Sequence, residues 1–130
     1  MSASNLVRVL GEQSQPELRQ LFSRAALYAA TSCYEPFGLA PLEAALSGCA
    51  LIANDTPTFH ELWGGSAFYF RRNDPDHLAD SIRKLAGDAT LRRQYGERAL
   101  AMANERYTAG KMIDQYEDLY QTASRAARAA

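Results

Sequence analysis

The sequence predicts an α/β fold: a short parallel sheet of about four strands, interleaved with helices, that gives way near residue 73 to a helical tail. Apolar runs of four or five residues recur before position 73 and are separated by connections too long for hairpins. Beyond that position the apolar spacing is helical throughout. Strands joined by such connections form right-handed βαβ units, because a twisted strand feeding a helix packs back onto its sheet with one hand. The expected organisation is one domain over 1–130, with a βαβ portion at 6–73 and C-terminal helices at 74–126.

The first run, Leu6-Val7-Arg8-Val9-Leu10, is rich in β-branched residues and ends at Gly11, which predicts a strand and a turn. Ser14 or Gln15 ahead of Pro16 and Glu17 marks a helix start, and Leu18, Leu21, Phe22 and Ala25 recur on one face of that helix. Ala26-Leu27-Tyr28-Ala29-Ala30 reads as a strand buried on both faces. Alanines and leucines after Gly38 favour a helix to Leu46, with Pro41 tolerated in its first turn and Gly48 as its stop. Cys49-Ala50-Leu51-Ile52-Ala53 is a third strand. The loop Asn54-Asp55-Thr56-Pro57 then leads to Thr58-Phe59-His60-Glu61, whose capping-box spacing predicts a short helix ending at Gly64-Gly65. Ala67-Phe68-Tyr69-Phe70 completes the strands.

In the tail, Asp74-Pro75 opens a helix carrying Leu78, Ile82 and Leu85 on one face until Gly87-Asp88 interrupts. A second helix carries Leu91, Tyr95 and Met102. Thr108 caps a third, in which Met112, Ile113, Tyr116, Leu119 and Tyr120 form an apolar stripe wide enough to need a packing partner. The alanine-rich end at 123–130 is expected to fray.

Composition narrows the function classes. With 47% hydrophobic and 22% charged residues the chain can bury a core. Fourteen basic against fifteen acidic residues leave a net charge of −1, so no basic field points to nucleic acid or an anionic membrane. The apolar runs fall far short of the ~20 residues of a spanning helix, and Met1-Ser2-Ala3-Ser4-Asn5 carries no signal pattern, so a soluble, cytoplasmic chain is expected. Cys33 and Cys49 lie in apolar runs and are expected to act as small hydrophobes. His60 and His77 fit no metal-ligand spacing, so no metal site is expected and both take surface or capping roles.

Chemistry concentrates in Glu35-Pro36-Phe37-Gly38-Leu39-Ala40-Pro41-Leu42-Glu43, which joins a strand to a helix. That geometry aims free backbone N–H groups at an anion beyond the carboxyl ends of the strands. Gly38, lacking Cβ, lets a phosphate approach the first turn, and the helix dipole adds favourable potential. Glu35 before the helix and Glu43 about one and a half turns into it flank this site, so each can bind sugar hydroxyls at one end of an extended ligand. A diphosphate between a ribose near Glu43 and a hexose near Glu35 is a nucleotide sugar. A bland reading stands beside it, in which Glu35 serves only the helix dipole, worth ~0.3–1 kcal/mol, and Glu43 faces water.

The pattern Ser32-x-x-Glu35-x-Phe37-Gly38-Leu39-x-x-Leu42-Glu43-Ala44, followed by Gly48 and an apolar strand, resembles the E-x7-E region of family-4-type retaining glycosyltransferases of the GT-B fold. The likeness extends through Glu61, which resembles the glutamate opening the next short helix, through Asp74-Pro75 and Leu78, and through the closing helices at 91–120. It covers 6 to about 122. The resemblance implies a partial Rossmann-like domain, the back half of the donor-binding domain, whose donor-binding portion is 6–73. It places Glu35 beside the transferred sugar as the catalytic residue, supporting an oxocarbenium-like transition state. It gives Glu43 the ribose hydroxyls and gives Phe37, Gly38, Leu39 and Ser32 to donor and diphosphate binding. It further implies retention of configuration, no metal and no cofactor, the nucleotide-diphosphate sugar being a substrate.

Pro36 stands where glycine is commoner, as in the glycogen- and sucrose-synthase-like branches, and Thr56-Pro57 replaces paired glycines. The resemblance also implies a missing N-terminal acceptor-binding domain and a missing upstream basic pair, so the isolated chain is expected to be inactive or nearly so. Two other readings remain. One is a small α/β nucleotide-binding or protein-interaction module that docks or self-associates through the stripe at 112–120. The other is a flavodoxin-like phosphoacceptor domain, which requires an acidic cluster that Asp55 alone does not provide.

Overall fold

Three of the four apolar runs become strands, and every predicted helix forms. The computed structural model describes residues 7–129. Among these, the chain runs α1 (Gln15–Arg24), β1 (Leu27–Ala30), α2 (Leu39–Leu46), β2 (Ala50–Asn54), α3 (Pro57–Trp63), a 3-10 turn (Gly64–Ser66), β3 (Phe68–Phe70), α4 (Pro75–Gly87), α5 (Ala89–Arg106) and α6 (Ala109–Ala129). The three strands form a parallel sheet in the order β1-β2-β3, with Leu27 opposite Ala50 and Ile52 opposite Phe68.

The expected strand at 6–10 is the exception. Leu6 lies outside the described residues, and residues 7–10 belong to no strand. Val7 and Val9 are 74% and 91% exposed. A β-branched run gains its stability from ladder partners and a surface to pack on, and this one has neither. The sheet therefore has three strands among the described residues rather than about four.

Local chemistry sets the helix ends. The Glu17 carboxylate accepts from the Ser14 amide at 2.8 Å and hydroxyl at 2.6 Å, which opens α1 and holds the carboxyl below its ordinary pKa. α2 closes with Cys49 N–H on the Ala44 carbonyl and Gly48 N–H on that of Ala45, a Schellman pattern that turns the chain into β2. α3 starts earlier than predicted: Thr56, not Thr58, is its cap and accepts from the Phe59 amide, with Pro57 in the first turn. Glu61 is consequently well inside α3 instead of opening it. Asp74 caps α4, accepting from the His77 amide at 2.9 Å, a bond that depresses its pKa. Thr108 accepts from the Lys111 amide at the head of α6, which continues to Ala129 without the expected fraying.

Every residue of β2 is buried, as a central strand covered on both faces requires. The strand alternation sends Tyr28, Ala30, Leu51 and Ala53 to one face, where Phe22, Ala44, Ala45, Phe59 and Trp63 pack. It sends Leu27, Ala29, Ile52 and Phe70 to the other, against Leu78 and Leu85 of α4. α5 belongs to both layers: Leu91 and Tyr95 join the second, Ala99 and Ala103 the first. Between these halves lies Gly96, where an added Cβ would stand 2.8 Å from the Gly48 carbonyl oxygen and 3.7 Å from the Ala50 amide nitrogen. Only a residue without a side chain lets α5 pass the start of β2 so closely.

Candidate functional site

Parallel strands bring all their carboxyl ends to one edge, and the loops that follow β1, β2 and β3 meet there. The loop after β1 carries Ser32, Glu35 and Phe37 and ends at Gly38, the N-cap of α2. Gly38 has φ +81°, and an added Cβ would lie 3.0 Å from Glu35 Cγ and 3.1 Å from the Pro41 ring. The turn thus needs glycine both for its left-handed backbone and for the space that the Glu35 stem occupies. The amides of Leu39 and Ala40 head the helix and meet no protein acceptor among the described residues.

Glu35 and Glu43 are both half-buried. Burial pushes the phenol of Tyr28 above its ordinary pKa, and the carboxylates of Glu35 and Glu43 push it further the same way. Two carboxylates from different elements thus bear on one hydroxyl projecting from β1. Ser32 and Leu39 are exposed, Leu39 by 70%. The Phe37 ring packs edge-on against Tyr107 at 5.2 Å between centroids, and Tyr107 packs against Trp63 at 5.6 Å. The Phe37 side chain is therefore an anchor between the loop and the end of α5. Beyond Phe37 a groove of about 510 Å³ opens between α2 and the head of α6, lined by Leu42, Arg106, Tyr107 and Met112; neither glutamate lines it.

The loops are tied together by residues that periodicity did not single out. Asn54 ends β2 fully buried; its Nδ2 donates to the Ser32 carbonyl at 3.2 Å and to Asn73 Oδ1 at 2.9 Å, and its Oδ1 accepts from the Asn73 amide at 3.0 Å. Cys33 is exposed, contrary to its expected role as a small hydrophobe, and its Sγ donates to Asn73 Oδ1 at 3.2 Å. It falls past the end of β1, whereas Cys49 is buried at the entrance to β2 as predicted. A polar residue closing an all-apolar run was the available signal for Asn54. His60 sits on the surface, paired with Asp55 at 2.6 Å and stacked on Tyr69 at 3.9 Å, and His77 accepts from the Arg71 amide through Nδ1 at 2.7 Å. The Tyr69 hydroxyl donates to the carbonyls of Phe59 and Gly64, and burial, aided by Asp55, pushes its pKa up to about 12.

Residues 2–102 match the family described as Glycosyl transferases group 1. The chain belongs to this family. Among curated relatives of this group 1 glycosyl transferase chain, the lipopolysaccharide core biosynthesis mannosyltransferase LpcC of Rhizobium leguminosarum bv. viciae is 34% identical over 99 residues, 75% of this chain and 28% of that protein. The GDP-mannose:cellobiosyl-diphosphopolyprenol alpha-mannosyltransferase of Xanthomonas oryzae pv. oryzae is 30% identical over 111 residues, 81% of this chain and 29% of that protein. The structure of sucrose-phosphate synthase from Thermosynechococcus elongatus shares the fold, with a TM-score of 0.81 at 22% identity over 94% of this chain and 31% of that one. The glycosyl transferase chain thus spans under a third of the length of these relatives. No helix among its described residues is long and apolar enough to cross a membrane.

Proposed function

We propose that this chain is the donor-binding part of a retaining hexosyltransferase that draws a hexosyl group from a nucleotide-diphosphate sugar. The observation that carries the reading is the Gly38 turn, which packs the Glu35 stem against the head of α2 while Glu43 lies in the second turn of the same helix. In this assignment the amides of Gly38 and Leu39 receive the diphosphate, helped by the helix dipole. Glu43 takes the ribose hydroxyls, and Glu35 lies beside the sugar, its charge favouring the cationic transition state. Ser32 and Phe37 contribute through the backbone of the same loop. No metal or cofactor enters the scheme.

A cytoplasmic enzyme is the expected parent, and an N-terminal acceptor-binding domain is proposed to complete it, so that the isolated chain binds donor without turning it over. The two curated relatives described above are named as mannosyltransferases, which makes GDP-mannose the first probe, followed by UDP-glucose and ADP-glucose. Calorimetric titration should show binding of at least one of them to the wild type and its loss in Glu43→Ala. Binding that survives Glu43→Ala removes the ribose assignment, and robust transfer by the isolated chain to a simple glycoside acceptor removes the claim of incompleteness.

A second reading, association through α6, is favoured by one observation: α6 has no buried residue, and Met112, Ile113, Tyr116, Leu119 and Tyr120 are 52–68% exposed. We infer that two copies of the isolated chain pair along this stripe. Sedimentation velocity should show a concentration-dependent dimer that Leu119→Glu abolishes; a monomer at every concentration rejects it.

A further inference from the structure

The stretch between β1 and α2 contains the residues assigned to the donor, yet residues 31–37 make no backbone–backbone hydrogen bond among the described residues. Something else must hold it, because an anion site built of amides works only when those amides point correctly before the ligand arrives. Two side-chain tethers reach its start: Asn54 Nδ2 on the Ser32 carbonyl and Cys33 Sγ on Asn73 Oδ1. Both run through the same pair of asparagines.

The pair is built at some conformational cost. Asn73 stands at φ 57°, the one non-glycine residue with positive φ among the described residues. Asparagine tolerates that conformation better than most residues. In it, the Asn73 amide reaches Asn54 Oδ1 while its own Oδ1 meets Asn54 Nδ2. Asn54 itself is 0% exposed, and a buried carboxamide is retained only where its polar atoms are satisfied. Both of its N–H groups and its oxygen are in use. The loops following all three strands are thereby fastened at one point.

We propose that Asn54 and Asn73 are a positioning pair that fixes the backbone of residues 31–38, and with it Glu35 and the Gly38 turn, in the geometry that receives the donor. The inference rests on the donor-site reading above. Neither side chain touches the donor; each acts through the loop.

Three variants test it by two readouts, hydrogen–deuterium exchange of the loop amides and titration with GDP-mannose and UDP-glucose. Asn73→Gly keeps the positive φ and the amide donated to Asn54, and deletes only the Oδ1 acceptor. Its loop amides should exchange ~10-fold faster and its donor affinity should fall ~10-fold, with β2 protection unchanged, because the ordering cost then falls on binding. Asn73→Asp, which retains an acceptor oxygen, should restore both. Asn54→Ser, which shortens the tether to Ser32, should behave like Asn73→Gly. Unchanged loop exchange in both Asn73→Gly and Asn54→Ser overturns the latch, and faster exchange with unchanged affinity overturns its role in positioning. Failure of the wild type to bind either nucleotide sugar, with the loop still loosened in Asn73→Gly, overturns the donor reading and the positioning role with it, but leaves the fastening of the loop standing.

Discussion

α5 and α6 are the longest helices among the described residues, 18 and 21 residues, and both are rich in alanine. They use their apolar surface in opposite ways. α6 has the clear amphipathic stripe and buries none of it. α5 has a weaker pattern, yet Gly96, Ala99 and Ala103 are buried and its flanks join both layers of the core. Close approach of backbone to backbone, not the number of large apolar residues, makes α5 part of the body. A helix of small residues can come nearer to a strand than one carrying leucines, and each ångström gained restores dispersion contacts along its whole length.

That contrast can be broken most directly at Gly96. Its replacement by alanine places a methyl 2.8 Å from a carbonyl oxygen, and the required shift should cost ~1–3 kcal/mol in urea unfolding. An unchanged midpoint would mean that α5 is held by its flanks alone. At the junction of the two helices, the Tyr107 hydroxyl donates to the Leu62 carbonyl at 2.5 Å. Tyr107→Phe should therefore lose ~0.5–1.5 kcal/mol by the same measurement, and no loss would detach the end of α5 from α3.

Alkaline titration sharpens the comparison without mutation. The Tyr69 phenol, in the layer that α5 closes, is neutral in the folded protein until its pKa of about 12, above the ordinary 10.0. The unfolded chain releases that proton first, so the contribution is full below pH 10 and is lost as pH rises towards 12. Tyr28 and Tyr107 act in the same direction. Absorbance at ~295 nm followed beside circular dichroism should show late tyrosine ionisation coincident with unfolding; early ionisation of all tyrosines in a still folded chain contradicts the burial. The smallest effect belongs to α6. Leu119→Glu, measured below the association range, should change unfolding by no more than ~0.5 kcal/mol, and a larger loss would show that the stripe supports the core after all.

Much of this was legible beforehand, for reasons that the same two helices illustrate. Periodicity found the Leu91, Tyr95 and Met102 face of α5 and the stripe of α6, because both consist of large apolar residues at helical spacing. It was silent on Gly96, Ala99 and Ala103, since small residues look alike on any face and their burial is decided by what lies opposite. The E-x7-E segment was readable because Gly38, Pro41 and Gly48 punctuate it. Asn54 reads locally as the first residue of a loop: its polarity after an all-apolar run is visible, but nothing local says that its side chain serves two other loops. The strand expected at 6–10 failed the other way, a good local pattern without a tertiary partner, and Cys33 was misplaced because the apolar run ends at Ala30.

The path of α5 across the sheet also sets an order of events. The one helix packed into both layers follows β3 in sequence, so during synthesis all three strands leave the ribosome before the segment that seals them. Until residues 89–103 emerge, the first layer lacks Ala99 and Ala103 and the second lacks Leu91 and Tyr95. The nascent sheet is a sticky surface for that interval, and chains halted before α5 are the ones most exposed to aggregation.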